Sequence, residues 1–261
     1  MSNTIWLMGI QAVRARLKRE RSGLRELLIE RGIRNRRVQA LAEEARARGI
    51  PVRELERERL ASIAEGLRHQ GVLALAEADP ELDEHALPSL LARAGEQARV
   101  LVLDGVEDPQ NFGACLRVAE AAGALFVLVP KDGAAPLSPA ARRAAAGAAE
   151  LVPIVRATNL ARALRLLAEA GFFLVGLDDE APQSLYALEL GGRIAMVLGG
   201  EGRGLKRLTR EHCDFLASLP MLGQIESLNV SVAAGIALYE SLRQQLAATT
   251  QHPSTRSEEQ P

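Results

Sequence analysis

Three segments place polar or glycine-rich residues directly after apolar runs, where ligands collect at the strand ends of open α/β sheets. In the first, residues 103–117, Asn111 stands at the start of a helical pattern and Arg117 lies six residues later. The pair reads either as part of a site or as a helix cap and a solvated Arg. In the second, residues 197–205, the run Gly199-Gly200-Glu201-Gly202-Arg203-Gly204 follows a strand pattern. Glycines there let the backbone approach a ligand closely, and their bare amides accept anionic or polar groups. The spacing and the intervening Glu201 do not match a dinucleotide fingerprint, and a tight turn without a ligand stays open. The third, residues 219–238, runs through small and apolar residues that must be buried against other elements or another subunit. Ser227 and Asn229 stand out at its start, as site residues or as caps that satisfy free helix amides.

Those segments need a frame that brings them together. From residue 99 apolar runs alternate with helical stretches, which predicts parallel strands with crossover helices. Strands are expected at 100–103, 125–129, 152–155, 172–177, 194–198 and 215–219; their aliphatic content without polar alternation suits a sheet covered on both faces. Helices are expected at 112–122, 139–149, 160–170 with Asn159 as cap, 206–213 and 227–247. Ahead of them, a helix over 10–18, a strand at 24–29, a helix over 37–48 stopped by Gly49, an extended piece at 50–52 and an apolar run at 72–75 form a small α/β unit. This divides the chain into a domain at 1–76, an acidic, proline-bearing connector at 77–97, a larger domain at 98–247 and a disordered tail at 248–261.

Composition narrows the function classes. Hydrophobic residues at 48% permit a real core, while only 3% aromatic residues leave little for base stacking. The formal charge of −1 hides an asymmetry: residues 1–70 hold 16 Lys/Arg against 9 Asp/Glu, and 71–261 hold 16 against 24. That division fits a basic module carrying phosphate contacts beside a neutral or acidic one, and equally a set of solvated helix faces. Two cysteines, Cys115 and Cys213, cannot build a disulfide framework, and no CxxC pair or His cluster predicts a metal site. With no secretory segment and no apolar run near the ~18 residues of a spanning helix, a cytoplasmic protein is expected.

Taken in order, the three segments resemble the three motifs of the SpoU/TrmH superfamily of RNA 2′-O-ribose methyltransferases. Residues 157–162 and 208–214 are similar to members that act on 23S rRNA, as are 9–13 and 69–71 in the small domain. The resemblance reaches about residue 245 and is looser in the first seventy. It implies an L30e-like N-terminal substrate-binding domain, a catalytic domain with a C-terminal trefoil knot, and a homodimer formed through the knot and last helix. It also implies S-adenosylmethionine as cofactor, contacted by Gly199, Leu219 and Leu228 with Gly200 and Met221 beside them. Asn111, Arg117, Glu201, Ser227 and Asn229 fall on the catalytic positions. A guanidinium is protonated at any working pH, so Arg117 suits orienting the 2′-hydroxyl and pairing with the adjacent phosphate. No metal is needed, because the methyl donor is already activated. The implied substrate is a guanosine of 23S rRNA, naked or in a ribosome assembly particle. The variable motif positions Gly200, Arg203, Leu222, Gln224 and Ile225 leave the nucleotide open. A tRNA or another rRNA site is the alternative within the chemistry, and a non-catalytic RNA-binding assembly factor the alternative outside it. A nicotinamide oxidoreductase lacks its phosphate fingerprint and ribose-binding acid.

Overall fold

The computed structural model describes residues 4–65, 68–79, 81–202 and 204–251. The N-terminal part runs β1 (Thr4–Met8), α1 (Ile10–Leu17), β2 (Leu24–Glu30), α2 (Arg36–Ala47), β3 (Val52–Leu55), α3 (Arg57–Ile63) and β4 (Val72–Glu77). Its sheet has the order β1-β4-β2-β3, with β4 antiparallel to both neighbours and β2 parallel to β3. Leu27 and Ile29 of β2 pack on Val38, Leu41 and Ala45, the apolar stripe of α2. Asn35 caps that helix by accepting a hydrogen bond from the Arg37 amide at 3.0 Å. The sequence reading contains neither β1, an edge strand with Leu7 as its one buried residue, nor α3, a charged helix that buries Leu60.

The second part comprises β5 (Leu82–Asp83), α4 (Leu87–Leu91), β6 (Arg99–Asp104), α5 (Pro109–Ala121), β7 (Phe126–Pro130), α6 (Pro139–Ala145), β8 (Ile154–Ala157), α7 (Leu160–Glu169), β9 (Phe173–Leu177), β10 (Ile194–Gly199), α8 (Arg207–Glu211), β11 (Phe215–Ala217) and α9 (Val230–Gln251). The sheet order is β11-β9-β10-β6-β7-β8-β5, and every described pairing in it is parallel. Successive residues of a strand point to opposite faces. Leu101 and Leu103 therefore share a core with Phe112 and Leu116 of α5, Ala141 of α6 and Ala234 and Leu238 of α9. Val100 and Val102 enter a second core with Leu87 and Leu90 of α4 and Leu164 and Leu167 of α7. Both faces are covered, as the unbroken aliphatic strands require.

Three expectations are corrected. The connector at 77–97 is not a free tether, because Leu82–Asp83 adds a strand to the second sheet beside β8 and α4 seals one of its cores. The helix expected over 139–149 stops at Ala145. Ala146 turns left-handed at φ 50° and Gly147 follows at 98°, because α1 arrives there: a Cβ on Gly147 would lie 2.8 Å from the Gln11 carbonyl oxygen. The last helix begins at Val230 rather than 227 and continues through 248–251, the first part of the expected tail; the rest of that tail lies outside the described residues.

The two parts meet at a buried ion pair. Arg16 of α1, 2% exposed, donates to Glu150 Oε2 at 2.9 Å across the junction. It also donates to the carbonyls of Ser22 and Glu77 at 2.6 Å each and to Asp79 in the connector. Glu150, equally buried, accepts a second hydrogen bond from Arg142 of α6. Burying ions costs several kcal/mol apiece, and here each charge is met by several partners. Glu150→Leu, which leaves Arg16 short of one counterion, should lower unfolding stability by roughly 3 kcal/mol. The Arg16→Met/Glu150→Leu pair should recover at least half of that in urea denaturation, and equal losses in the single and double variants would contradict the pairing.

Candidate active site

Parallel pairing sets Gly199 opposite Asp104, so β6 and β10 end side by side and the segments after them share one edge of the sheet. The turn after β10 packs tightly because Gly199 and Gly200 lack side chains. A Cβ on Gly199 would stand 2.0 Å from the Gly204 carbonyl, and one on Gly200 would stand 2.0 Å from the Gly105 oxygen. Gly202 and Gly204 carry φ of 77° and 59°, which close the turn on itself through Gly204 N–H to Gly200 O at 3.2 Å.

That turn carries Glu201 to Asn111. The cap of α5 is Asp108, whose Oδ1 accepts the Asn111 amide at 2.8 Å with Pro109 at the first helical position. The Asn111 side chain is thereby free of capping. Its Nδ2 donates to Glu201 Oε1, and its Oδ1 accepts from Asn229 Nδ2 at 2.9 Å. A carboxylate only accepts, so Glu201 fixes which way the Asn111 amide faces, and Asn111 in turn orients Asn229. Asn229 also starts α9, accepting the Ser231 amide at 2.9 Å and its hydroxyl at 2.6 Å. One hydrogen-bonded chain thus joins all three segments. Asp108 is absent from the sequence-derived site, although Asp followed by Pro at a helix start marks the cap.

The other candidate residues sit differently. Arg117 is exposed on α5, and its side chain makes no hydrogen bond or ion pair among the described residues. Six residues along a helix place it about 120° around from Asn111 and about 9 Å along the axis, so the two do not share a face. Ser227 is exposed and unbonded among the described residues, one residue ahead of half-buried Leu228. Leu219 and Met221 are half-buried, whereas Leu222 and Ile225 between them and Ser227 are 99% and 66% exposed. No group from Leu219 to Leu228 hydrogen-bonds another described residue. Free backbone amides and carbonyls beside half-buried leucines suit a flat heterocycle with polar edges.

Cys115, buried beneath the site, is unsuited to act as a nucleophile. Burial first, and then the Glu201 carboxylate, pushes the Cys115 thiol up to about 12; it stays protonated and unreactive at neutral pH. Among the described residues no group of three or more His, Cys, Asp or Glu could hold a metal ion, and no helix is long and apolar enough to cross a membrane.

Known proteins share both the sequence and the fold. Residues 98–239 match the SpoU rRNA Methylase family, and residues 6–82 match the RNA 2′-O ribose methyltransferase substrate binding family. The 23S rRNA (guanosine-2′-O-)-methyltransferase RlmB of Xylella fastidiosa is 48% identical over 239 residues, covering 92% of this chain and 96% of that one. A crystal structure of an RNA 2′-O ribose methyltransferase superposes with a TM-score of 0.77 at 28% identity, covering 94% of this chain and 90% of that one. An AdoMet-bound rRNA methyltransferase from Sinorhizobium meliloti gives 0.73 at 25% identity, covering 92% and 87%. With its larger domain matched nearly from end to end, the chain belongs to the SpoU rRNA methylase family.

Proposed function

We propose that this protein methylates the ribose 2′-hydroxyl of a guanosine in 23S rRNA, with S-adenosylmethionine as donor. The observation that carries the reading is the Glu201–Asn111–Asn229 chain, which ties three distant segments together at the C-terminal edge of a parallel sheet. The bound cofactor supplies a methyl group already activated on a sulfonium. Gly199, Gly200, Leu219, Met221 and Leu228 would hold it, a role supported by the tight glycine turn and by the backbone of residues 219–228, which is unengaged among the described residues.

The remaining work is alignment, which can supply effective molarities on the order of 10⁵ M. Asn111, held by Glu201 on one side and Asn229 on the other, presents a fixed amide at the edge of the site. Ser227, exposed next to Leu228, offers a hydroxyl to the substrate side. Arg117 orients the 2′-hydroxyl and pairs with the neighbouring phosphate. Its outward position on α5, with no side-chain partner among the described residues, supports service to a second subunit's site in a homodimer. Exposed Val232, Tyr239 and Leu246 along α9 support that helix as the dimer contact.

The trefoil knot belongs to the same reading. It is supported by the passage of the chain beside residues 183–185, where the Ser218 amide donates to Gln183 O at 2.8 Å and the Leu185 amide to Ser218 O at 2.9 Å, before it returns to Asn111. Residues 1–76 act as the substrate-binding domain and 98–247 as the catalytic domain, in the cytoplasm and on naked rRNA or an assembly particle. The exposed Arg34, Arg36 and Arg37, unpaired among the described residues, support phosphate contact by the former.

Arg117→Ala should abolish methyl transfer to rRNA while the dissociation constant for S-adenosylmethionine, read by calorimetry, stays within about twofold. Unaltered turnover would remove Arg117 from the mechanism. Replacing Arg34, Arg36 and Arg37 together by Gln should weaken RNA binding and flatten the plot of log affinity against log salt by about 2 units, near 0.7 per lost phosphate contact. An unchanged slope would take the RNA path away from the start of α2.

A further inference from the structure

Asp104, the last residue of β6, is 1% exposed and belongs to neither the hydrogen-bonded chain at Asn111 nor the loop at 219–228. Its main chain and side chain grip both ends of one loop. The Asp104 carbonyl accepts the Gly200 amide at 3.0 Å, where the glycine turn begins. Its carboxylate Oδ2 accepts the Thr209 hydroxyl at 2.6 Å and the Lys206 amide at 3.3 Å, where the turn ends. The Lys206 ammonium lies 3.0 Å from Oδ1 while itself remaining 60% exposed.

A neutral side chain would fill this space without the several kcal/mol that burying a carboxylate costs. A charge here is justified by what it holds, since hydrogen bonds to an ionised acceptor are roughly twice as strong as neutral ones. The neighbouring thiol does not compete for these donors. Burial first, then the Asp214 and Asp104 carboxylates, pushes Cys213 up to about 12. Its Sγ instead donates to the Thr209 carbonyl at 3.3 Å, behind the clamp.

We propose that Asp104 is a positioning residue: it ties Gly200 through its carbonyl, and Lys206 and Thr209 at the start of α8 through its carboxylate, to the end of β6, and so holds the glycine turn in its cofactor-binding shape with Glu201 against Asn111. The role of the turn rests on the function proposed above, whereas the clamp itself is a property of the protein without ligand. Thr209 is 5% exposed and allows an isosteric test. Thr209→Val keeps the volume and loses the hydroxyl, and Thr209→Ser does the reverse, so packing and hydrogen bonding predict opposite orders of damage.

In cofactor-free protein, Thr209→Val should speed hydrogen exchange across segment 200–206 about tenfold, and Asp104→Asn should do so at least as much. Thr209→Ser should stay within about twofold of the parent. By calorimetry without RNA, the dissociation constant for S-adenosylmethionine should rise about tenfold in Thr209→Val and remain within about twofold in Thr209→Ser. If Ser proves as damaging as Val, or exchange is unchanged in both, the clamp is wrong. If the exchange order holds but the parent protein binds no S-adenosylmethionine, the clamp stands and the cofactor reading falls.

Discussion

Two strands ending in register, with glycine after one of them, is the constraint on which the rest of the site depends. Gly199 sits opposite Asp104, and the chain beyond it folds back so closely that a single Cβ on Gly199 or Gly200 would overlap backbone atoms of Gly204 or Gly105. Overlap of that kind cannot be relieved by a rotamer change, because the atoms met are main chain rather than the end of a flexible side chain. The turn must therefore be glycine-built for Glu201 to reach the α5 start. Once it does, hydrogen-bond chemistry propagates the order outward, with a carboxylate setting one amide and that amide the next. Rigid strands supply the anchor points, and polar contacts only connect what the strands have already brought near.

The junction between the two parts obeys a different logic. The basic excess of the first seventy residues is not spread uniformly over solvent. Arg16 is withdrawn from it to meet Glu150, and the flanking Asp79 and Arg142 complete the set. The acidic Asp79 of the supposed connector thus acts as a counterion, with its carboxyl held below the usual carboxylate range despite the opposing effect of burial, by hydrogen bonds and charges from Arg19 and Arg16. A depressed carboxylate contributes stability above its unfolded pKa and loses it as pH falls through the folded value. The contribution of Asp79 to the junction is accordingly lost in acid. Arg34, Arg36 and Arg37 are among the exposed arginines of this part that remain available to a polyanion.

How legible this was in the sequence depends on the range of the forces involved. Strands buried on both faces write themselves as continuous aliphatic runs, and 100–103 and 194–198 lie inside the observed Arg99–Asp104 and Ile194–Gly199. A two-residue strand such as Leu82–Asp83 has no period to read; it exists because β8 offers an unpaired edge. The end of α6 is likewise set from outside, by Gln11 pressing on Gly147. For the site, the residue types were visible but their partners were not. Asn111 looked like a cap because helix starts favour Asn, and only the local Asp108–Pro109 pair, an available signal, shows that the cap lies elsewhere. Its actual contacts are 90 and 118 residues away. Asp104 gave no signal at all, since a carboxylate at a strand end is ordinarily solvated.

Helix geometry separates the two sets of candidate residues and bears on how a complete site is assembled. Asn111 faces the glycine turn and α9, whereas Arg117, about 120° around the same helix, faces solvent. No side-chain rotation swings a guanidinium around α5 to the Asn111 side, because Phe112, Cys115 and Leu116 are fully buried and α5 is packed against α6 and α9. Either the RNA spans from one face to the other, or a second copy brings its own Arg117 to this edge. The second arrangement is the one that the homodimer proposed above would supply. Leu222 and Ile225 are 99% and 66% exposed, and an apolar loop that makes no hydrogen bond among the described residues, leading into a helix with exposed Val232 and Tyr239, is poorly stabilised in isolation. Contact with another subunit would cover those side chains and brace the same loop that carries Leu219, Met221 and Leu228. Cofactor site and dimer contact would then be two sides of one short segment, which links subunit association to the order of the binding loop.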